Sequence, residues 1–69
     1  MKKFQVGDSV RFMGGVIPEQ VRWANADYPN DLVIDDVYVV ESVDVHPSFT
    51  RVTLESAQGV FNSSHFIKL

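Results

Sequence analysis

The chain has no cysteine among its 69 residues. This absence excludes disulfide bridges, metal sites with thiolate ligands and a cysteine nucleophile. A chain of this length forms one domain, residues 1–69, and buries only about 60% of the surface that its unfolded form exposes. Small domains often rely on disulfides or metals for stability, so we expect this one to fold by side-chain packing alone. Apolar residues make up 45% of the sequence, which is typical of a globular domain.

A long apolar run is also missing. No stretch approaches the ~20 apolar residues of a membrane-spanning helix. The basic start at residues 1–3 is not followed by the apolar segment of a signal peptide, because Gln5, Gly7 and Asp8 interrupt it. We therefore expect a soluble, cytoplasmic protein that does not associate with a membrane.

Positive charge is absent from the middle of the chain. Between Arg22 and Arg51 there is no lysine or arginine, and the net charge is −3. Binding to a phosphate backbone requires clustered cations, so a general nucleic-acid interface is disfavoured. An acidic face suits a basic partner, but it also serves solubility. The acidic residues of this segment are Asp27, Asp31, Asp35, Asp36, Glu41 and Asp44.

Alternation of apolar and polar residues predicts a β-protein. The first alternating stretch, at residues 4–12, is interrupted by a turn at Gly7-Asp8 and places four apolar side chains on one side: Phe4, Val6, Val10 and Phe12. Residues 13–36 hold two of the three prolines and two of the four glycines, and this composition predicts a loop. Within it, Pro18 can open a short helical turn that extends through Trp23.

Residues 37–45, VYVVESVDV, give the strongest strand signal. Their apolar parity changes partway, since Tyr38 and Val40 lie on one phase and Val43 and Val45 lie on the other. A bulge near residues 41–42 would return both pairs to one face by adding a residue.

The rest of the chain predicts three more elements. Pro47 marks a hairpin tip, and residues 51–56 form a strand with Val52 and Leu54 inward. Residues 57–59, AQG, have the signature of a hairpin loop in which Gly59 takes a positive φ. Asn62 can cap a single tight helical turn, after which residues 66–69 form the last strand.

This order of elements describes an all-β fold, a small five-stranded SH3-like barrel with a long early loop and a single helical turn before the last strand. The segments FQVGDSVRF, VYVVESVDV, RVTLES and GVFNSSHFIKL resemble a group of small, uncharacterised phage- and prophage-type proteins of that fold. The resemblance implies an SH3-like barrel, and its positions are those of a barrel core and its turns. They are Gly7, Asp8, Val10, Phe12, Tyr38, Val40, Val43, Gly59, Phe61 and Phe66.

Residue types that carry catalysis or metal binding occur in weak patterns. Ser63, Ser64 and His65 are sequence neighbours, whereas a working Ser-His pair meets in space with a third group that orients the base. His46 and His65 lie far apart in a chain without cysteine, which is unlike a zinc site. Gly14-Gly15 lacks the lysine and the helix of a phosphate loop. We expect no catalytic residue, no metal and no cofactor.

Loop aromatics form the candidate site. Trp23, Tyr28 and Phe49 would present large contact areas at little entropic cost, as in binding hot spots. The alternative is that Trp23 closes an open end of the barrel as part of the core. The partner-binding residues predicted from the sequence are Trp23, Tyr28, Phe49, Arg22, Asp27 and Asp31.

These features predict a non-catalytic binding module that docks a protein partner through loop aromatics and an acidic rim. An enzyme is not expected, because a domain this small has little room for a walled pocket of ~300 Å³. One alternative is a nucleic-acid-associated module, in which an aromatic stacks on a base beside four cations: Arg11, Arg22, Arg51 and Lys68. Another is an acidic nucleic-acid mimic that captures a basic protein. An exposed edge strand would also allow a homodimer.

Overall fold

A computed structural model describes residues 4–14 and 18–69. The predictions that involve residues 1–3 and Gly15 lie outside these ranges. Five strands form one antiparallel sheet in the order β4-β3-β2-β1-β5. The strands are β1 (Ser9–Phe12), β2 (Val37–Val45), β3 (Thr50–Leu54), β4 (Ala57–Asn62) and β5 (Phe66–Lys68). A helix, α1 (Pro18–Trp23), lies in the long connection, and a 3-10 turn (Ser63–His65) precedes β5.

The predicted all-β class is confirmed, and so are the helical turn at Pro18 and the single turn before the last strand. β4 and β5 are the edges of the sheet, and within residues 4–14 and 18–69 no backbone ladder joins them. The sheet is therefore open. No helix in the described ranges has the length and apolar character needed to cross a membrane.

One hydrophobic cluster lies inside the curved sheet. Every strand contributes to it because inward positions alternate with outward ones, and Leu32 reaches it from the long connection. Phe66 is in contact with two other rings, at centroid distances of 5.6 Å from Phe12 and 6.3 Å from Phe61. The buried members are Val10, Phe12, Leu32, Val40, Val52, Leu54, Phe61 and Phe66.

The parity change in β2 is resolved by the predicted bulge. The register with β3 shifts between Val40 and Ser42, so that Val40 is buried and Val43 is half-buried against the core. The prediction for Val45 is wrong, because this side chain is exposed. It pairs with Thr50 at the far end of the hairpin, beyond the buried cluster.

At the start of the chain, the prediction that Val6 shares an inward face with Phe4 is also wrong. Phe4 packs against the core, but Val6 is exposed. A turn accounts for the difference, since the Asp8 amide donates to the Gln5 carbonyl and the Asp8 carboxylate accepts from the Gln5 amide. The strand alternation therefore begins only after the turn.

The corner before β5 forms as the sequence predicts. The side-chain oxygen of Asn62 accepts a hydrogen bond from the Ser64 amide at 3.0 Å, and the Phe66 amide donates to the Ser63 carbonyl. This cap satisfies a backbone donor that a short helix leaves unpaired. The chain can then turn from β4 into β5.

The predicted hairpin loop at residues 57–59 is misplaced. The turn lies at Glu55-Ser56, and Ala57 already pairs with Leu54. Gly59 does take a positive φ, of 126°, but it does so inside β4. A Cβ at this position would lie 2.7 Å from Cζ of Phe61, so the glycine makes room for a core ring.

Replacement of this glycine should therefore destabilise the fold. In Gly59→Ala, backbone strain and the clash with Phe61 act together, each at about 1–3 kcal/mol. Gly7→Ala is the matched control, because its φ is also positive, at 91°, but a Cβ would meet no atom within 4 Å. Urea unfolding should show a loss at Gly59 at least about 1 kcal/mol larger than at Gly7. Equal losses would contradict this account of Gly59.

Candidate binding site

Four side chains from two separate segments meet on one surface, which we call the aromatic platform: Trp23, His46, Phe49 and Arg51. Phe49 is at its centre. The His46 ring stacks on Phe49 at a centroid distance of 4.6 Å, and the Trp23 ring is tilted against it at 6.3 Å. The guanidinium carbon of Arg51 lies 5.8 Å from the Phe49 centroid, which is cation–π geometry. The prediction that Trp23 and Phe49 belong together agrees with this contact.

Helix α1 presents Trp23. Val21 and the following Ala24 are buried, whereas the Trp23 side chain is 64% exposed and lies outside the buried cluster. Behind it the chain turns sharply, because Asn25 adopts a left-handed φ of 52° and its amide donates to the Arg22 carbonyl. Trp23 therefore does not close the core.

The hairpin between β2 and β3 presents the other three residues. The His46 amide donates to the Phe49 carbonyl at 2.8 Å across a tip that contains Pro47. This short connection places His46 and Phe49 side by side. Arg51 follows at the start of β3, opposite Asp44.

Asp44 holds His46 and Arg51 in the platform. Its Oδ2 atom lies 2.8 Å from His46 Nε2 and 2.5 Å from Arg51 Nη2. Hydrogen bonds from His46, and then from Arg51, lower the pKa of the Asp44 carboxyl. Arg51 Nη1 also donates to the Asn25 carbonyl at 3.4 Å, which links the hairpin to the turn behind Trp23.

His46 Nε2 cannot form hydrogen bonds with both Asp44 and Arg51 at the same time. It lies 3.3 Å from Arg51 Nη2, which can only donate. When Nε2 carries a proton it donates to Asp44, and when it does not it can accept from Arg51. The Arg51 charge is paired with Asp44 at 2.5 Å, so the platform offers aromatic surface with little unpaired positive charge.

The other predicted binding residues lie away from these contacts or have structural partners. Tyr28 and Asp31 are exposed in the connection after α1, and Arg22 is exposed at the end of the helix. The Asp27 carboxylate accepts from the Val60 amide at 2.9 Å, and its own amide donates to the Val60 carbonyl at 2.7 Å. Asp27 thus fastens the long connection to the edge of β4.

Sequence reasoning missed the contribution of Asp44, His46 and Arg51 to this site. A signal was present, since a hairpin closed around Pro47 places an acid at 44 opposite an arginine at 51. Opposite charges at directly paired positions stabilise antiparallel strands. To predict that Asp44 pairs with Arg51, the position of the bulge in β2 must also be known, because the bulge shifts the pairing of β2 with β3.

The Ser-His segment is part of the fold. His65 is 1% exposed, and no hydrogen-bond partner of its Nε2 atom is found among the described residues. Burial lowers the pKa of its imidazole, which favours the neutral ring. A ring shielded from solvent is poorly placed to act on a bound substrate.

Two further features concern chemistry. In the part of the chain that the structure describes, no group of three or more His, Asp or Glu side chains could hold a metal ion. A shallow groove of about 510 Å³ runs along the β3–β4 turn, between Glu41, Thr53 and Gly59. This volume is larger than the ~300 Å³ of a walled pocket, but the groove is open to solvent and is not walled.

The chain was compared with known proteins in three ways, and none of the comparisons found a match. A scan against models of protein families found no match, and neither did a search of curated proteins or a search of solved structures. The fold and the site therefore define a small antiparallel β domain with an exposed aromatic platform.

The buried imidazole predicts how stability depends on pH. Because the folded pKa of His65 lies below its unfolded value of about 6.5, the unfolded chain binds the proton first as the pH falls. The free energy of unfolding should be constant above about pH 7 and fall below about pH 6.5, by up to 1.4 kcal/mol per pH unit. Urea unfolding of the wild type between about pH 5 and pH 8 would measure it.

His65→Gln should flatten this pH dependence even if it lowers stability overall. His46→Gln, which removes the more exposed imidazole of the chain, is the control for the loss of a histidine as such. An unchanged slope in His65→Gln would refute the assignment of the slope to His65.

Proposed function

We propose that this protein is a non-catalytic binding module that docks a protein partner through the aromatic platform. The observation that carries the proposal is Trp23, whose side chain is 64% exposed although it is held against Phe49. Burial of such a ring releases a large apolar area from water. A protein surface that complements it would supply that burial.

The platform is held in place before any partner binds. Phe49 contacts His46 on one side and lies beside Arg51, which bonds in turn to Asp44 and to the Asn25 carbonyl. Side chains fixed by their neighbours lose little conformational entropy on binding. Exposed but ordered aromatics are therefore suited to act as hot spots.

The surrounding charge favours a basic partner. The connection after α1 carries exposed acids and no lysine or arginine, and Arg51 in the platform is paired with Asp44. Complementary charge would speed association and select the partner. The acids that form this rim are Asp31, Asp35 and Asp36.

We further propose that the open sheet is an SH3-like barrel of the phage and prophage type. Support comes from β1 lying between β2 and β5, from the long connection between β1 and β2, and from the 3-10 turn before β5. Such folds host many unrelated functions, so the binding proposal depends on the platform and not on the fold.

A nucleic-acid-associated role is the weaker alternative. It needs several free cations beside a stacking aromatic, whereas two of the four candidate cations are engaged, Arg51 with Asp44 and Lys68 at 3.3 Å from Asp8. An acidic mimic that captures a basic protein would use the same rim as the proposed function. That variant differs in the partner and not in the surface.

Affinity capture from the native host, followed by calorimetry with the purified partner, tests the proposal. Trp23→Ala should weaken binding by about 30-fold or more, as for a hot spot worth about 2 kcal/mol. Tyr28→Ala tests the second exposed aromatic ring, which makes no contact assigned to the platform.

Val6→Ala is the matched control. This side chain is also exposed and apolar, but it lies in the turn before β1, where the Gly7 amide donates to the Val40 carbonyl, and it belongs neither to the platform nor to the acidic rim. The affinity of this control variant for the partner should stay within about twofold of the wild-type affinity. Equal affinity of Trp23→Ala and wild type for every captured protein would exclude the platform as the docking surface.

A further inference from the structure

The sheet has two different outer surfaces. On the β2–β3 hairpin the outward side chains are polar and paired, as in the 2.6 Å hydrogen bond between Ser42 and Thr53 and the ion pair between Asp44 and Arg51. Around β1 the exposed side chains at the start of β2 and on β5 are apolar, although β1 itself contributes Ser9 and Arg11. Antiparallel sheets that face water usually carry polar residues there, so this second surface is unusual.

We call this second surface the outer face. The register places Arg11 of β1 between Val37 of β2 and Ile67 of β5. The next row contains Ser9, whose carbonyl accepts from the Leu69 amide. Because strand side chains alternate, these residues point away from the core. The outer face comprises Arg11, Met13, Ile34, Val37, Ile67 and Leu69.

The apolar members of the outer face are each between 42% and 60% exposed. Met13 continues the outward parity of Arg11, and Ile34 lies against Gly14, where an added Cβ would be 3.0 Å from Ile34 Cδ1. Several exposed apolar side chains gathered on one side of a sheet in this way are typical of an interaction site.

The outer face carries a cation and acids at different positions, so that the cation of one copy could pair with the acids of a second copy. In the described part of the chain, no carboxylate lies within ion-pair distance of Arg11. The exposed Asp35 and Asp36 lie at one end of the same surface, where the Asp35 amide donates to the Phe12 carbonyl and the Asp36 carbonyl accepts from the Phe12 amide. The face thus presents a cation and an acidic turn at different positions.

We propose that the outer face is the contact surface of a homodimer. A two-fold axis that lies across the strands, between Arg11 and the acidic turn, places Arg11 of each copy near Asp35 and Asp36 of the other. An interface between identical copies makes every such contact twice. The apolar side chains between the charges would be buried in the same arrangement.

The size of the face predicts a weak dimer. A stable complex buries about 800 Å² on each partner, which is nearly a fifth of the 4507 Å² surface of this protein. The outer face spans only three short strands and the turns beside them, and we expect it to bury less than that. We therefore expect a dissociation constant of about 10–100 μM.

Sedimentation velocity of the full chain, from about 1 μM to about 1 mM, tests the proposal. The average mass should rise with concentration from 7.8 kDa toward twice that value. Ile67→Lys should weaken dimerisation at least about tenfold, because it places a charge in the apolar contact. Val45→Lys is the control, since Val45 is exposed at the far end of β2, outside the outer face.

Charge reversal tests the arrangement itself. Arg11→Asp should weaken the dimer, and Arg11→Asp combined with Asp36→Arg should restore it. If Ile67→Lys fails to fold, as judged by circular dichroism, Val37→Lys takes its place. Amide chemical shifts of the wild type that change on dilution should map to β1, β5 and the start of β2.

A wild type that stays at 7.8 kDa up to about 1 mM would overturn the proposal. So would equal weakening by Val45→Lys and Ile67→Lys, or dilution shifts confined to the platform. The proposal does not depend on the binding function, since Trp23→Ala should leave the dimer unchanged.

Discussion

The contact of Phe66 with Phe12 and Phe61 is the interaction on which the rest of the structure depends. These three rings come from β5, β1 and β4, and among the described residues the two edge strands β4 and β5 share no backbone ladder. Side-chain packing and the short turn between the two strands therefore hold these edges near one another. Truncation of a buried aromatic ring of this size lowers the free energy of unfolding by several kcal/mol. The positive φ of Gly59 and the cap at Asn62 both serve this contact, one by making room for Phe61 and the other by turning the chain toward Phe66.

The hydrophobic cluster of this small sheet has room for only a few large apolar side chains. Eight buried side chains fill it, and many of the other large apolar residues are exposed. They are not scattered evenly. Trp23 and Phe49 are ordered by the Asp44–Arg51 pair at one end of the β2–β3 hairpin, while Val37, Ile67 and their neighbours cover the outward side of β1, β2 and β5. The proposed interactions with a partner and with a second copy use these two apolar surfaces, while Asp35 and Asp36 belong both to the acidic rim and to the outer face.

Local sequence patterns predicted the strands, the bulge and the corner, because these depend on alternation and on short-range hydrogen bonds. Val6 and Val45 were misassigned, since alternation gives the parity of a side chain but not the limit of the core. The sequence predicts Gly59 as a turn residue, whereas the ring of Phe61 two positions later is what requires a glycine there. Asp27 is predicted from the sequence as a binding residue, whereas its hydrogen bond with Val60, thirty-three residues away, is not predicted. The triad of Asp44, His46 and Arg51 required the register of a bulged hairpin. Long-range contacts of this kind leave no local pattern in the sequence.

The central claim is that the core is complete without Trp23 and that this ring faces solvent beside Phe49. Because the chain has one tryptophan, acrylamide quenching of its fluorescence reports on this ring alone. The account predicts red-shifted emission in the free protein and quenching not far below that of a free indole, with little change in unfolding free energy in Trp23→Ala. Blue-shifted emission that resists quenching until the protein unfolds would place the ring inside the core and contradict the account.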